Sequence, residues 1–166
     1  MSVTPFPTAR RIPIGDPTDI AEIERMLTAA AGVVAACGGH AALGGRDLFA
    51  MSPDARAVLL TDMYDAGEVI FGWRAGDDAL ARNVAIERLS VSAAGGAARE
   101  GWRAEFYRED PEGGGHLLHG AVVSDSLHEI AESLVAAVND PGRAPDAASG
   151  AALAAFAARP DDAGES

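Results

Sequence analysis

The hydrophobic period of this chain changes twice, and that change constrains its fold more than any other feature. Apolar residues recur every three or four positions at Ile20, Ile23, Leu27, Ala31 and Val34. That spacing places them on one stripe of an α-helix. From 46 to 123 the pattern becomes strand-like. It is clearest in "WRAEFYRE", where Trp102, Ala104 and Phe106 alternate with Arg103, Glu105 and Tyr107. The helical period returns through Leu127, Ile130, Leu134 and Val138. A helix, a run of strands with short connections and a second helix predict an α+β fold. The expected architecture is an antiparallel sheet of about five or six strands, with an N-terminal and a C-terminal helix packed on one face. The other face is either solvated or a partner surface.

Local signals sharpen this outline. Asp19 and Glu22 have capping-box spacing, and Gly38-Gly39 suits a helix end. The stretch "ACGGHAALGG" therefore reads as a frayed helix terminus. Ser126 and Glu129 form a second capping box, and "NDPG" stops that helix. "RDLFAM" and "RAVLLTD" read as strands separated by a Ser52-Pro53-Asp54 turn, with Pro at an inner turn position. "GEVIFGWRA" follows as a strand. In "NVAIERLSVS" the alternation slips, since Val84 and Ile86 share one parity and Leu89 and Val91 the other. A β-bulge would produce that slip. "DPEGGG" turns "WRAEFYRE" into its hairpin partner "HLLHGAVV". "GWRA" occurs at 72–75 and 101–104, but the flanks do not align as a repeat.

The expected organisation is an extended arm over 1–17 with a short strand at "RIPI", a single domain over 18–140, and an Ala/Pro/Asp-rich tail over 141–166. A short helix at 150–158 would dock through Leu153 and Phe156, ahead of a disordered end.

Charge narrows the function classes. Acidic residues number 25 against 13 basic ones, a formal net charge of -12. That balance argues against direct nucleic-acid binding, which needs clustered cations, and suits a basic partner. All the basic residues are arginine, and Ala and Gly abound, as the codons of a GC-rich bacterial genome would produce. A single cysteine excludes an intrachain disulfide. The first residues lack the continuous apolar region of a secretory signal, and no run approaches a membrane span. A cytoplasmic protein without membrane contact is expected.

Candidate chemistry is sparse. Cys37 and His40 could form a nucleophile and base, but a helix C-terminus disfavours a thiolate. Cys37, His40, His116 and His119 supply four donors for zinc. Positions three apart on a strand face opposite sides, so His116 and His119 should not converge. The plainer reading is a buried thiol and solvent-facing histidines, His128 among them. The acidic doublets Asp77-Asp78, Glu109-Asp110 and Asp161-Asp162 lack calcium-loop spacing and read as solvated turns. The glycine runs lack a phosphate-cradle pattern. No catalytic residue, cofactor or metal is assigned. Trp73, Arg103 and Tyr107 are candidate partner contacts, because such residues are enriched at interface hot spots. Core packing is the competing reading for both tryptophans.

"MSPDARAVLL", "GWRAEFYRED" and "SLHEIAESLVAAVNDP" together resemble the actinobacterial SPDY-domain family, a domain of unknown function, over roughly residues 40–141. The residues carrying the resemblance are Ser52, Pro53, Asp54, Trp102, Ala104, Phe106, Glu129, Ile130, Leu134 and Val138. The resemblance implies a Ser-Pro-Asp turn into a strand, and it brings no activity. The expected helix–sheet–helix order is also similar to type III secretion chaperones and YbjN-like proteins, which implies a dimer that binds client segments. The leading expectation is a non-enzymatic, acidic protein-binding module, adaptor- or chaperone-like, able to form a homodimer. The alternatives are an accessory protein acting near DNA through a partner, and a small metal-binding protein using Cys37, His40, His116 and His119.

Overall fold

The computed structural model describes residues 7–75, 80–93 and 96–159. Asp77-Asp78, Asp161-Asp162, the start of the arm and the 160–166 tail lie outside these residues. The chain runs β1 (Thr8–Arg11), α1 (Pro17–Ala36), β2 (His40–Leu43), β3 (Arg46–Asp47), α2 (Pro53–Ala66), β4 (Glu68–Arg74), β5 (Arg82–Ser92), β6 (Ala98–Glu109), β7 (His116–Ser124) and α3 (Leu127–Asn139). A 3-10 turn at Pro141–Arg143 then leads to α4 (Ser149–Ala158). The fold is α+β; among the described residues it has a seven-stranded antiparallel sheet and four α-helices.

Capping chemistry sets the helix ends. Asp16, not Asp19, caps α1: its Oδ1 accepts from the Thr18 N–H at 2.8 Å, and Pro17 supplies a helix-ready φ at the first position. Asp19 is thereby freed to meet Arg88 at 3.2 Å. Gly38, at φ 72, turns the chain out of α1. At α3, Ser126 Oγ accepts from the Glu129 N–H, and Leu127, Ile130, Leu134 and Val138 are buried, as the spacing predicted.

Two expected strands are corrected. "RAVLLTD" lies in α2, where Ser52 Oγ caps the Ala55 N–H at 3.1 Å and Pro53 opens the first turn. Proline has nearly the same φ at an inner turn position and at a helix start, so Ser-Pro-Asp fits both. Of "RDLFAM", only Arg46 and Asp47 are extended. Conversely, "ACGGHAALGG" holds more than a helix end, because His40–Leu43 form β2. The arm's strand lies at Thr8–Arg11, starting three residues before "RIPI" and sharing only Arg11 with it.

The sheet order is β3-β2-β4-β5-β6-β7. β4 pairs with Arg82–Glu87 of β5, and β1 continues the same row against Leu89–Ser92. Gly67 sits at their junction with φ +78, where a Cβ would overlap the Ile12 carbonyl oxygen. Glycine is required there on both counts.

Strand parity assigns the faces. Val69, Phe71, Trp73, Val84, Ile86, Trp102, Ala104 and Phe106 join α1, α2 and α3 in the main core. Leu89 and Val91 point the other way and pack with Phe156 of α4 in a second cluster. The slip in "NVAIERLSVS" is therefore not a bulge. β5 keeps one register against β6 from Arg82↔Arg108 to Ser92↔Ala98 and passes from one core to another on the opposite face. The irregularity lies instead between Phe106 and Tyr107, against β7. Among the described residues, no helix is long and apolar enough to cross a membrane.

Candidate functional site on the open half of the sheet

α4 covers only the end of the second face, over Leu89, Val91 and Val123. The rest has no helix above it among the described residues. Register places Ala42 beside Gly72, Gly72 beside Asn83, Asn83 beside Tyr107 and Tyr107 beside Leu118, all on this uncovered half. Small side chains at Ala42 and Gly72 leave a hollow of about 380 Å³ over β2, β4 and β5, which His40, Asp47, Ile70, Arg74 and His116 also line. Ile70 and Leu118 are 36% and 46% exposed. A sheet residue on this parity would be shielded if a second layer lay above it.

Next to the hollow lies an ionic cluster. Glu87 is 2% exposed although charged. Its Oε2 accepts from Arg11 Nε and Nη2 at 3.2 and 2.9 Å, and its Oε1 from Arg103 Nε at 3.1 Å. Glu68 meets Arg11 at 3.0 Å, and Glu105 accepts from the Tyr107 hydroxyl at 3.3 Å. A buried carboxylate is tolerated only when its oxygens are hydrogen-bonded to opposite charge, and Glu87 satisfies that condition through β1 and β6. Burial pushes the Glu68 carboxyl above the ordinary range despite Arg11. Burial, and then the Glu105 carboxylate, push the Tyr107 hydroxyl upward. The cluster has no nucleophile paired with a base. It ties together four strands, β1, β4, β5 and β6, at one side of the hollow.

Chain segments that follow β3 and α3 pair with part of β2 and of β7. The Ala121 N–H of β7 donates to the Ala147 carbonyl at 2.8 Å, and the Leu48 N–H donates to Ala41 of β2 at 2.9 Å. An added strand at Ala121 or at Ala41 would have to displace these segments.

The structure separates the residues that the sequence grouped. His40 and His116 line the same hollow, whereas His119 Nδ1 faces the Pro145 carbonyl at 3.1 Å. Cys37 is exposed at the end of α1, not buried. These four do not converge as a ligand set, and among the described residues no three His, Cys, Asp or Glu side chains are grouped to hold a metal ion. His128 is exposed and meets Glu132 at 2.6 Å. Trp73 is 5% exposed and stacked on Phe71 at 5.9 Å between ring centroids. It belongs to the core rather than to a contact surface. Trp102 is buried beneath the Arg88 guanidinium, 5.3 Å from the ring centroid. Arg103 and Tyr107 do lie on the open face, joined through Glu105.

Glu87, Ile70 and Leu118 escaped the sequence reading. The signals were an acidic residue inside the apolar run "NVAIERL" and apolar residues on both parities of "EVIFGW". No family model, curated protein or solved structure matches the chain.

Proposed function

We propose that the protein is a non-enzymatic, acidic binding module, adaptor- or chaperone-like, that receives a protein partner on the open half of its sheet. The observation that carries this reading is the half-covered face, where Ile70 lines a hollow and Tyr107 and Leu118 continue the same face across β6 and β7, beside the end that α4 seals. An apolar centre with a polar rim is the usual anatomy of a protein interface, and His40, Asp47, Arg74 and His116 supply the rim. The net charge of -12 favours a basic partner by steering its approach.

The test is site-specific photo-crosslinking in cells, with the crosslinker at position 70 or, as control, at Val58 on α2, which is 63% exposed. A partner captured at 70 and absent at 58 is expected. Binding of that purified partner should fall about tenfold or more in Ile70→Asp, as for an interface hot spot. Identical crosslinked species at both positions, or unchanged affinity in Ile70→Asp, would overturn the reading.

A further inference from the structure

On the helix side of the sheet a cleft of about 300 Å³ opens between α1 and α2. Its walls are Leu27, Leu43, Leu48, Leu60 and Phe71, with Arg56 of α2 reaching the same space. Arg56 Nε is buried and has no hydrogen-bond partner among the described residues. Arg56 also forms no ion pair among them, although Glu24 lines the cleft; Glu24 Oε1 accepts from the Tyr64 hydroxyl at 3.3 Å. A buried N–H on a charged group is costly to leave unpaired, and native structures rarely do so without a bound water, ion or ligand.

The combination is selective. An apolar hollow favours a hydrocarbon body, and a few placed polar groups in such a hollow set ligand orientation. A guanidinium with its Nε free offers one prong of the fork that carboxylates accept. Arg56 lies in the first turn of α2, where the helix field also favours negative charge. We propose that this cleft binds a small aliphatic carboxylic acid, its carboxylate on Arg56 and its chain against Leu27, Leu48 and Leu60. The site is on the opposite side of the sheet from the partner surface and does not depend on it.

The experiment is calorimetric titration of the full chain with octanoate, octanol and acetate. It uses wild type, Arg56→Gln and Ala57→Trp, the last placing bulk at an exposed lining position. Octanoate is expected to bind wild type, with octanol and acetate each weaker by about tenfold or more, the effect of losing one charged hydrogen bond or the apolar contacts. Arg56→Gln should lose the preference for octanoate over octanol while keeping the wild-type circular dichroism and melting temperature within a few degrees. Ala57→Trp should weaken both ligands. No heat with octanoate in wild type, equal binding of octanol, or undiminished octanoate binding in folded Arg56→Gln would each overturn the proposal. If Arg56→Gln fails to fold, the wild-type comparison of octanoate with octanol and the Ala57→Trp titration decide it.

Discussion

Replacing Glu87 with glutamine tests whether the ionic cluster, rather than the hairpin alone, holds β1 and β6 to β5. The side chain of Glu87 is 3% exposed, that of Arg103 is 20% and that of Arg11 is 42%. Glutamine keeps the volume but removes the charge and turns an amide N–H toward a guanidinium. Breaking a buried ion pair from one side costs about 3–5 kcal/mol, because the partner charge is left unpaired. Arg11 can turn to water and keeps Glu68, and Arg103 keeps Glu105 at 3.7 Å, so the lower end, about 3 kcal/mol, is expected. For a chain of this size that corresponds to a fall of about 6–12 °C in Tm. Urea denaturation followed by tryptophan fluorescence measures the loss, since Trp73 and Trp102 are both buried. Arg25→Met, which breaks the exposed Arg25–Glu22 pair on α1, should cost less, under about 1 kcal/mol, because that pair is solvated. A Glu87→Gln variant within about 1 kcal/mol of wild type would refute the reasoning, and so would a larger loss from Arg25→Met than from Glu87→Gln.

Phe156→Ala should release α4 from the sheet. Its ring is 1% exposed, packs over Gly101 and lies 4.9 Å from the Arg99 guanidinium. Amide exchange in 149–158 should approach unprotected rates while β5 and β6 keep their protection, and unchanged protection of α4 would contradict this. The chain has two tyrosines, and both hydroxyls are pushed above the ordinary value, Tyr64 by burial and then Glu24, Tyr107 by burial and then Glu105. The folded state then holds protons that the unfolded chain has released, so stability falls as pH rises through the ordinary tyrosine range. Phenolate absorbance should appear above that range and together with unfolding; titration of either residue at the ordinary value in the folded protein would contradict the assignment.

Much of the architecture is written in short-range patterns. The stripes of α1 and α3, the Ser126 cap and the "DPEGGG" hairpin each depend on residues within one or two turns of one another. Local geometry therefore determines them. α2 was hidden because "AVLL" is a contiguous apolar run: Leu60 is buried while Val58 is 63% exposed, and only the packed neighbour distinguishes them. The Ser-Pro-Asp signal could not arbitrate, since proline satisfies a turn and a helix start alike.

The candidate site was less legible than the fold. The sequence alone determined the acidic balance, the alternation that puts Arg103 and Tyr107 on one face, and the pairing of helices with a sheet. Tertiary structure alone decided that β5 serves two cores, that Trp73 points inward and that Glu87 is a buried hub. It also placed Arg56 in a largely apolar cleft with an N–H that has no partner among the described residues. Each of these depends on what another element, distant in sequence, places above a residue. Burial is a property of that neighbour, and no local period encodes it.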